Sequence, residues 1–144
     1  DLVTVLEALG NHARTTKDVP TLAEHVRAAL APAISARYAT PEGDLYVLTL
    51  QPEVSSHLVD SLQATESGPQ LSLDPEWLQR FLTAIAREME RVASLGRQPI
   101  LLVPAGIRLA LRRATERSLP NLTILSYREI APNVQVHAAG MVRV

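Results

Sequence analysis

Gln98-Pro99-Ile100-Leu101-Leu102-Val103-Pro104-Ala105-Gly106-Ile107 opens the stretch that decides the fold, and Leu122-Thr123-Ile124-Leu125-Ser126-Tyr127 closes it. Ile100 to Val103 is an unbroken apolar run. Pro104-Ala105-Gly106 interrupts it, and Ile107 to Leu119 carries apolar residues at helical spacing until Pro120-Asn121 stops the helix. Leu122 to Leu125 is a second apolar run. Strand, helix and strand at this length predict a βαβ crossover, right-handed and with parallel strands. The elements after Leu45 then pair with those strands or cover them.

Upstream of this unit, Asp74-Pro75-Glu76 combines a capping acid, a first-turn proline and a first-turn acid, which together start a helix. Leu78, Phe81, Leu82, Ile85, Met89 and Val92 mark its inward face, and Gly96 ends it. Before it, Leu45 to Leu50 reads as a strand, and Pro52 opens a helix with Val54, Leu58 and Leu62 inward. Thr65 to Gln70, with Ser67-Gly68-Pro69, reads as a loop. Leu2, Val5, Leu6 and Leu9 predict a first helix stopped at Gly10-Asn11. Thr21 and Glu24 have the spacing of a capping box for the next helix, which Pro32 should kink or break. Downstream, Tyr127 to Pro132 is a turn or short helical piece. Val134 to Val144 reads as a closing strand, bulged at Ala138-Ala139-Gly140. The expected class is therefore α/β (or α+β): a partial helical subdomain over residues 1–40, then a small α/β subdomain over 41–144 with the βαβ unit and a mixed sheet.

Composition narrows the possible functions. The chain has 144 residues, long enough to bury a core without covalent staples. It is 47% hydrophobic but only 3% aromatic, so the core must be aliphatic. A net charge of −1 supplies no global field for nucleic acid or an anionic membrane. With no cysteine, disulfides, thiolate chemistry and Cys-ligated zinc are excluded. No apolar run approaches the length that spans a bilayer. The chain begins at Asp1 inside a helical pattern, as expected of a piece of a longer protein.

Catalytic or ligand-binding constellations do not emerge from the residues. Gly106 stands alone after a strand, where tight strand-to-helix packing is the reading and an anion at the helix N-terminus the alternative. His12, His25, His57 and His137 lack metal-ligand spacing and read as exposed. No Gly-x-Ser-x-Gly occurs. Asp74 and Glu76 are capping residues, Glu7 and Glu24 read as helix-surface charges, and Trp77 should cover the edge of a core. The unusual feature is arginine, which far outnumbers the one lysine, Lys17. Arg108, Arg112, Arg113 and Arg117 share one helix as two ridges of residues four apart. A solvated face, a protein contact or a nucleic-acid contact would each use them. Arginine suits protein interfaces, and no stacking aromatics accompany the cluster. Among binding roles, these four are the candidate protein-contact residues. No catalytic, cofactor-binding or metal-binding residue is expected, nor any cofactor.

Several segments resemble the cytoplasmic C-terminal region of the major export-gate family of bacterial type III secretion, which is shared by flagellar export and the injectisome. They are Asp1 to Leu9, Thr16-Lys17-Asp18, Val26-Arg27-Ala28-Ala29-Leu30, Pro99 to Val103, Ile107-Arg108, Leu119 to Ile130 and Val134-Gln135-Val136. Asp60 to Thr65 followed by Leu71 to Pro75 looks more like the injectisome branch. The tail from Ala138 to Val144 departs from the family's usual ending.

The resemblance implies an integral inner-membrane parent with a cytoplasmic part of four subdomains. Residues 1–40 would belong to the third and 41–144 would form the fourth. It also implies a non-enzymatic module on the cytoplasmic face of the bacterial inner membrane, assembled as a homo-oligomeric ring, a nonamer in the family, with self-association within Asp1 to Tyr38. Implied partners are chaperone–substrate complexes, the gatekeeper and the stalk protein of the ATPase, with no nucleic acid and no entry of this segment into the membrane. The alternative is a small α/β ligand- or nucleotide-binding domain with its site near Pro104-Ala105-Gly106.

Overall fold

The computed structural model describes residues 19–144, so the helix expected over Leu2 to Leu9 lies outside the described residues. Two helices come first, α1 (Val19–Ala29) and α2 (Ala31–Tyr38). They meet at Leu30, and Pro32 sits in the first turn of α2, where its missing N–H costs nothing. The expected break therefore occurs. However, Val19 and Pro20 are already helical, so Thr21 lies within α1 and is not its cap.

A turn through Gly43 leads into β1 (Asp44–Leu50), then α3 (Pro52–Asp60). The chain next forms a hairpin, β2 (Leu62–Thr65) and β3 (Gly68–Leu71), around the two-residue turn Glu66-Ser67. This corrects the reading of Thr65 to Gln70 as a loop and of Leu62 as helical. The strands are four residues each, one contains Pro69, and the turn lacks an Asn-Gly signal, so local sequence under-reports the hairpin. Tertiary packing supports it instead: β3 lies against α1 and the later helix Arg108–Thr115.

Helix α4 (Pro75–Ser94) follows its signals closely. The Asp74 carboxylate accepts the Trp77 N–H at 3.0 Å. At its other end Gly96 takes φ +78. Its N–H donates to Ala93 O at 3.0 Å, while that of Arg97 donates to Val92 O at 3.1 Å. This is the paired closure that a left-handed glycine permits. Then come β4 (Ile100–Val103), a 3-10 turn (Ala105–Ile107), α5 (Arg108–Thr115) and β5 (Thr123–Ser126). A second 3-10 turn (Tyr127–Glu129) leads to β6 (Gln135–Val142).

The fold is α/β, with parallel and antiparallel strands in separate sheets. The main sheet has the order β5-β4-β1-β6, and every neighbouring pair in it is parallel. Antiparallel pairing is confined to the hairpin. The predicted βαβ unit is β4-α5-β5. The bulge lies where expected: Val47 pairs with Ala138 and Leu48 with Gly140, leaving Ala139 as the extra residue.

The steps β1 to β4 to β5 move in one direction across the sheet, so right-handed crossovers place their helices on one face. Leu48, Leu101, Val103 and Ile124 there meet Val54, Leu58, Phe81, Ile85, Ile107 and Leu111 from α3, α4 and α5 and the turn before α5. Trp77 packs at the edge of this cluster. The step to β6 reverses direction and crosses the opposite face. There Leu45, Val47, Ile100, Leu102 and Leu125 are covered by Ile34 and Tyr38 of α2 and by Ile130 and Val134.

Candidate functional site

Helix α5 carries Arg108, Arg112 and Arg113, but it ends at Thr115, short of the stop expected at Pro120, so Arg117 lies in the turn beyond it and the cluster does not share one helix. Leu111 and Ala110 are buried and set the helix's rotation. That rotation turns Arg108 inward, where it is only 7% exposed, and leaves Arg112, Arg113 and Arg117 exposed. Arg113 Nη1 donates to Ser67 O at 2.6 Å and so ties α5 to the hairpin turn. Arg112 makes a loose 3.8 Å pair with Glu116. Arg108 thus stands apart from the other three candidate contact residues, because it is packed inside and lies beside two carboxylates.

Its partners are Glu129 and Glu24. Glu129 is 1% exposed and central to a polar junction. One carboxylate oxygen accepts the Ser126 N–H at 3.0 Å, completing a capping box for the 3-10 turn. The same oxygen lies 3.2 Å from Arg108 Nε. The other accepts from Arg27 Nη2 at 2.6 Å. The Glu129 carbonyl accepts from Ser35 Oγ at 2.5 Å, and Ser35 Oγ in turn accepts the Ala131 N–H at 2.8 Å. Glu24 completes the group at 3.5 Å from Arg108 Nε. Helices α1 and α2 are therefore bonded to α5 and the Tyr127–Glu129 turn through five polar side chains.

The ion pairs are imperfect in geometry. Arg108 Nε is close to two carboxylates yet makes no hydrogen bond, and neither does the buried Nε of Arg27. Burial pushes the Glu24 carboxyl above its usual value of 4.5, against the pull of Arg108 and Arg27. Burial likewise lowers Arg108, although Glu24 and Glu129 oppose the shift. Desolvation outweighs attraction at both groups, as expected for charges withdrawn from water.

Two concavities flank this junction. One, of about 210 Å³, lies beyond the C-terminal ends of β4 and β5 and is lined by Glu24, His25, Ala28, Pro69, Ala105, Gly106, Leu109, Ser126 and Arg128. This is where a nucleotide was the alternative expectation. It is smaller than the roughly 300–1,000 Å³ of small-molecule pockets, and the Glu24 carboxylate would repel phosphate. Gly106 corrects an expectation: it is exposed, and a Cβ there would meet nothing within 4 Å, so close packing does not require glycine. The second concavity, of about 240 Å³, is lined by Arg27, Tyr38, Arg108, Arg112, Thr123 and Ile124.

The comparisons with known proteins cover almost all of the chain. Residues 1–135 match the FHIPEP family. The chain belongs to the FHIPEP family. It is 34% identical over 142 residues to the flagellar biosynthesis protein FlhA of Bacillus subtilis, covering 99% of this chain and 21% of that one. Among solved structures, CdsV of Chlamydia pneumoniae superposes with a TM-score of 0.89 at 29% identity, over 99% of this chain and 41% of that one. The nonameric SctV-C of EPEC superposes with a TM-score of 0.86 at 28% identity, covering 99% of this chain and 42% of that one. The resemblance to type III secretion export-gate cytoplasmic domains is therefore established, with flagellar and injectisome members both among the relatives. The chain spans about a fifth of the curated relatives' length.

Within this FHIPEP-family chain, sequence reasoning missed Glu129 and Ser35 and misread Glu24 as a surface charge. The signal available for Glu129 was its place three residues after Ser126, the spacing of a capping box. His25 lies half-buried in the wall of the first concavity. His137 pairs with Asp44 at 2.9 Å and stacks on Tyr46, and His57 packs edge-on against Trp77. Among the described residues, no three His, Cys, Asp or Glu side chains gather as metal ligands. No helix there is long and apolar enough to cross a membrane.

Proposed function

We propose that this chain is a non-enzymatic module of a type III secretion export gate, held at the cytoplasmic face of the bacterial inner membrane in a homo-oligomeric ring. The observation that carries the reading is the match along 99% of the chain to a relative that is itself nonameric. In this reading residues 1–40 belong to a helical subdomain used in ring contacts and 41–144 form the α/β subdomain. Its partners are further copies of itself, chaperone–substrate complexes, the gatekeeper and the ATPase stalk protein. The relative CdsV has been solved in complex with a second protein, CdsO, which supports a partner-binding role. The exposed Arg112, Arg113 and Arg117 are the residues offered for such contacts.

The test has two parts. Sedimentation of the chain against concentration should show mass rising towards a closed ring. Deleting the segment from the parent protein should abolish secretion, and secretion at the normal level would overturn the reading.

A further inference from the structure

The concavity between α1, α2, α5 and β5 is lined by charges of one sign. Arg27, Arg108 and Arg112 supply three guanidinium groups, and the carboxylates that pair with Arg27 and Arg108 do not belong to its lining. Tyr38 and Thr123 add hydroxyl groups. Thr123 Oγ1 lies 3.2 Å from Gln98 Nε2 as acceptor, which leaves its own proton to donate. Guanidinium has donors and no acceptors, so the wall offers hydrogen bonds almost wholly in one sense. Fixed groups hold it in place. Arg27 is bonded to buried Glu129, and Arg108 is packed at 7% exposure.

We propose that this concavity is a socket for an acidic side chain, aspartate or glutamate, presented by a protein partner. Size suits a side chain: about 240 Å³ falls below the range of small-molecule pockets and admits one side chain. Charge selects the ligand. Arg27 and Arg108 are answered by the carboxylates of Glu129 and Glu24, which leaves the charge of Arg112 to an exposed partner. Glu116 meets that charge only loosely, at 3.8 Å and with both side chains about half exposed. One leftover positive charge suits a carboxylate better than a phosphate dianion. Arg112, held only by that loose pair, is the group able to close a two-pronged contact on it. That the carboxylate arrives on a protein rests on the export-gate reading.

The probe is a fluorescein-labelled hexaglutamate peptide, followed by anisotropy at low salt with the 144-residue chain. Binding should weaken about tenfold in Arg112→Ala, the loss of one charge-assisted contact. It should be unchanged in Arg87→Ala, which removes an exposed charge from α4. Equal weakening in both variants would reduce the effect to bulk charge and overturn the socket. Inorganic phosphate should compete no better than sodium chloride of equal ionic strength. Specific displacement by phosphate would make the site one for a free oxyanion and overturn the protein source. Because Arg112 is exposed, its variant should keep the wild-type circular dichroism spectrum; Arg112→Lys, keeping charge without the fork, gives a second reading between the two. Failure to bind the peptide in a chain that still assembles would overturn the socket and leave the export-gate reading intact. Binding without assembly would support the socket and count only against ring formation by this chain alone.

Discussion

The two faces of the parallel sheet are held by different physics. One face is aliphatic: three helices press Val54, Leu58, Phe81, Ile85 and Leu111 onto Leu48, Leu101, Val103 and Ile124. On the other face a smaller apolar cluster lies under α2 and the return segment. There the covering layer is also tied down by Ser35, Arg27 and Glu129. Apolar burial is non-directional and tolerates small shifts, whereas a buried hydrogen-bonded junction demands one register. The helical segment is therefore positioned against the α/β layer by direction-sensitive bonds. A module that must offer α1 at a fixed angle to neighbouring copies would need that property.

The largest effect should come from the aliphatic face. Phe81 is fully buried, and Phe81→Ala should cost about 3–5 kcal/mol in urea unfolding. Its unfolding should stay cooperative, because the whole sheet rests on that cluster. If Phe81→Ala cost less than Ser35→Ala, the ranking of the two faces would be wrong.

Ser35→Ala tests the other face. It leaves the Glu129 carbonyl without a donor and the Ala131 N–H without an acceptor, both at a fully buried site. The expected cost is about 1–3 kcal/mol. The difference should appear in hydrogen exchange as faster opening of α2 and the Tyr127–Glu129 turn, while β4 keeps its protection.

The smallest effect is a dependence on pH. Glu24 has a raised carboxyl pKa in the folded chain, so the native state holds that proton more tightly than the unfolded state. Stability from this group is then present below its ordinary value of 4.5 and falls as pH rises through the raised folded value. Glu24→Gln should flatten that fall, which paired urea titrations of the two proteins across this window would show. A fall of the same size in the variant would assign the effect to another group.

Much of the fold was legible because its determinants are local. Ile100 to Val103 and Leu122 to Leu125 are apolar runs with helical spacing between them, and Asp74-Pro75 and Gly96 bracket α4 in the chain itself. The β2-β3 hairpin was not legible. Its stability comes from packing on α5 and from Arg113 reaching Ser67, 46 residues away. Family membership was legible too, through the order of Pro99 to Val103, Ile107-Arg108 and Leu119 to Ile130. The arginine helix drew notice as a cluster, but sequence spacing could not separate Arg108 from Arg112.

By itself, then, the sequence determined the α/β class, the parallel unit around α5, the helix limits at Asp74 and Gly96, and the bulge in the last strand. Each was signalled by residues close together in the chain, where propensity and hydrogen-bond accounting act directly. Tertiary structure alone decided that Glu24 and Glu129 converge on Arg108, that Ser35 bridges Glu129 to Ala131, and that Arg27, Arg108 and Arg112 share a cavity. Arg27 and Glu129 stand 102 residues apart, and nothing local records a contact at that range. Only the closing of the sheet and the docking of α1 and α2 bring the two charges within 2.6 Å.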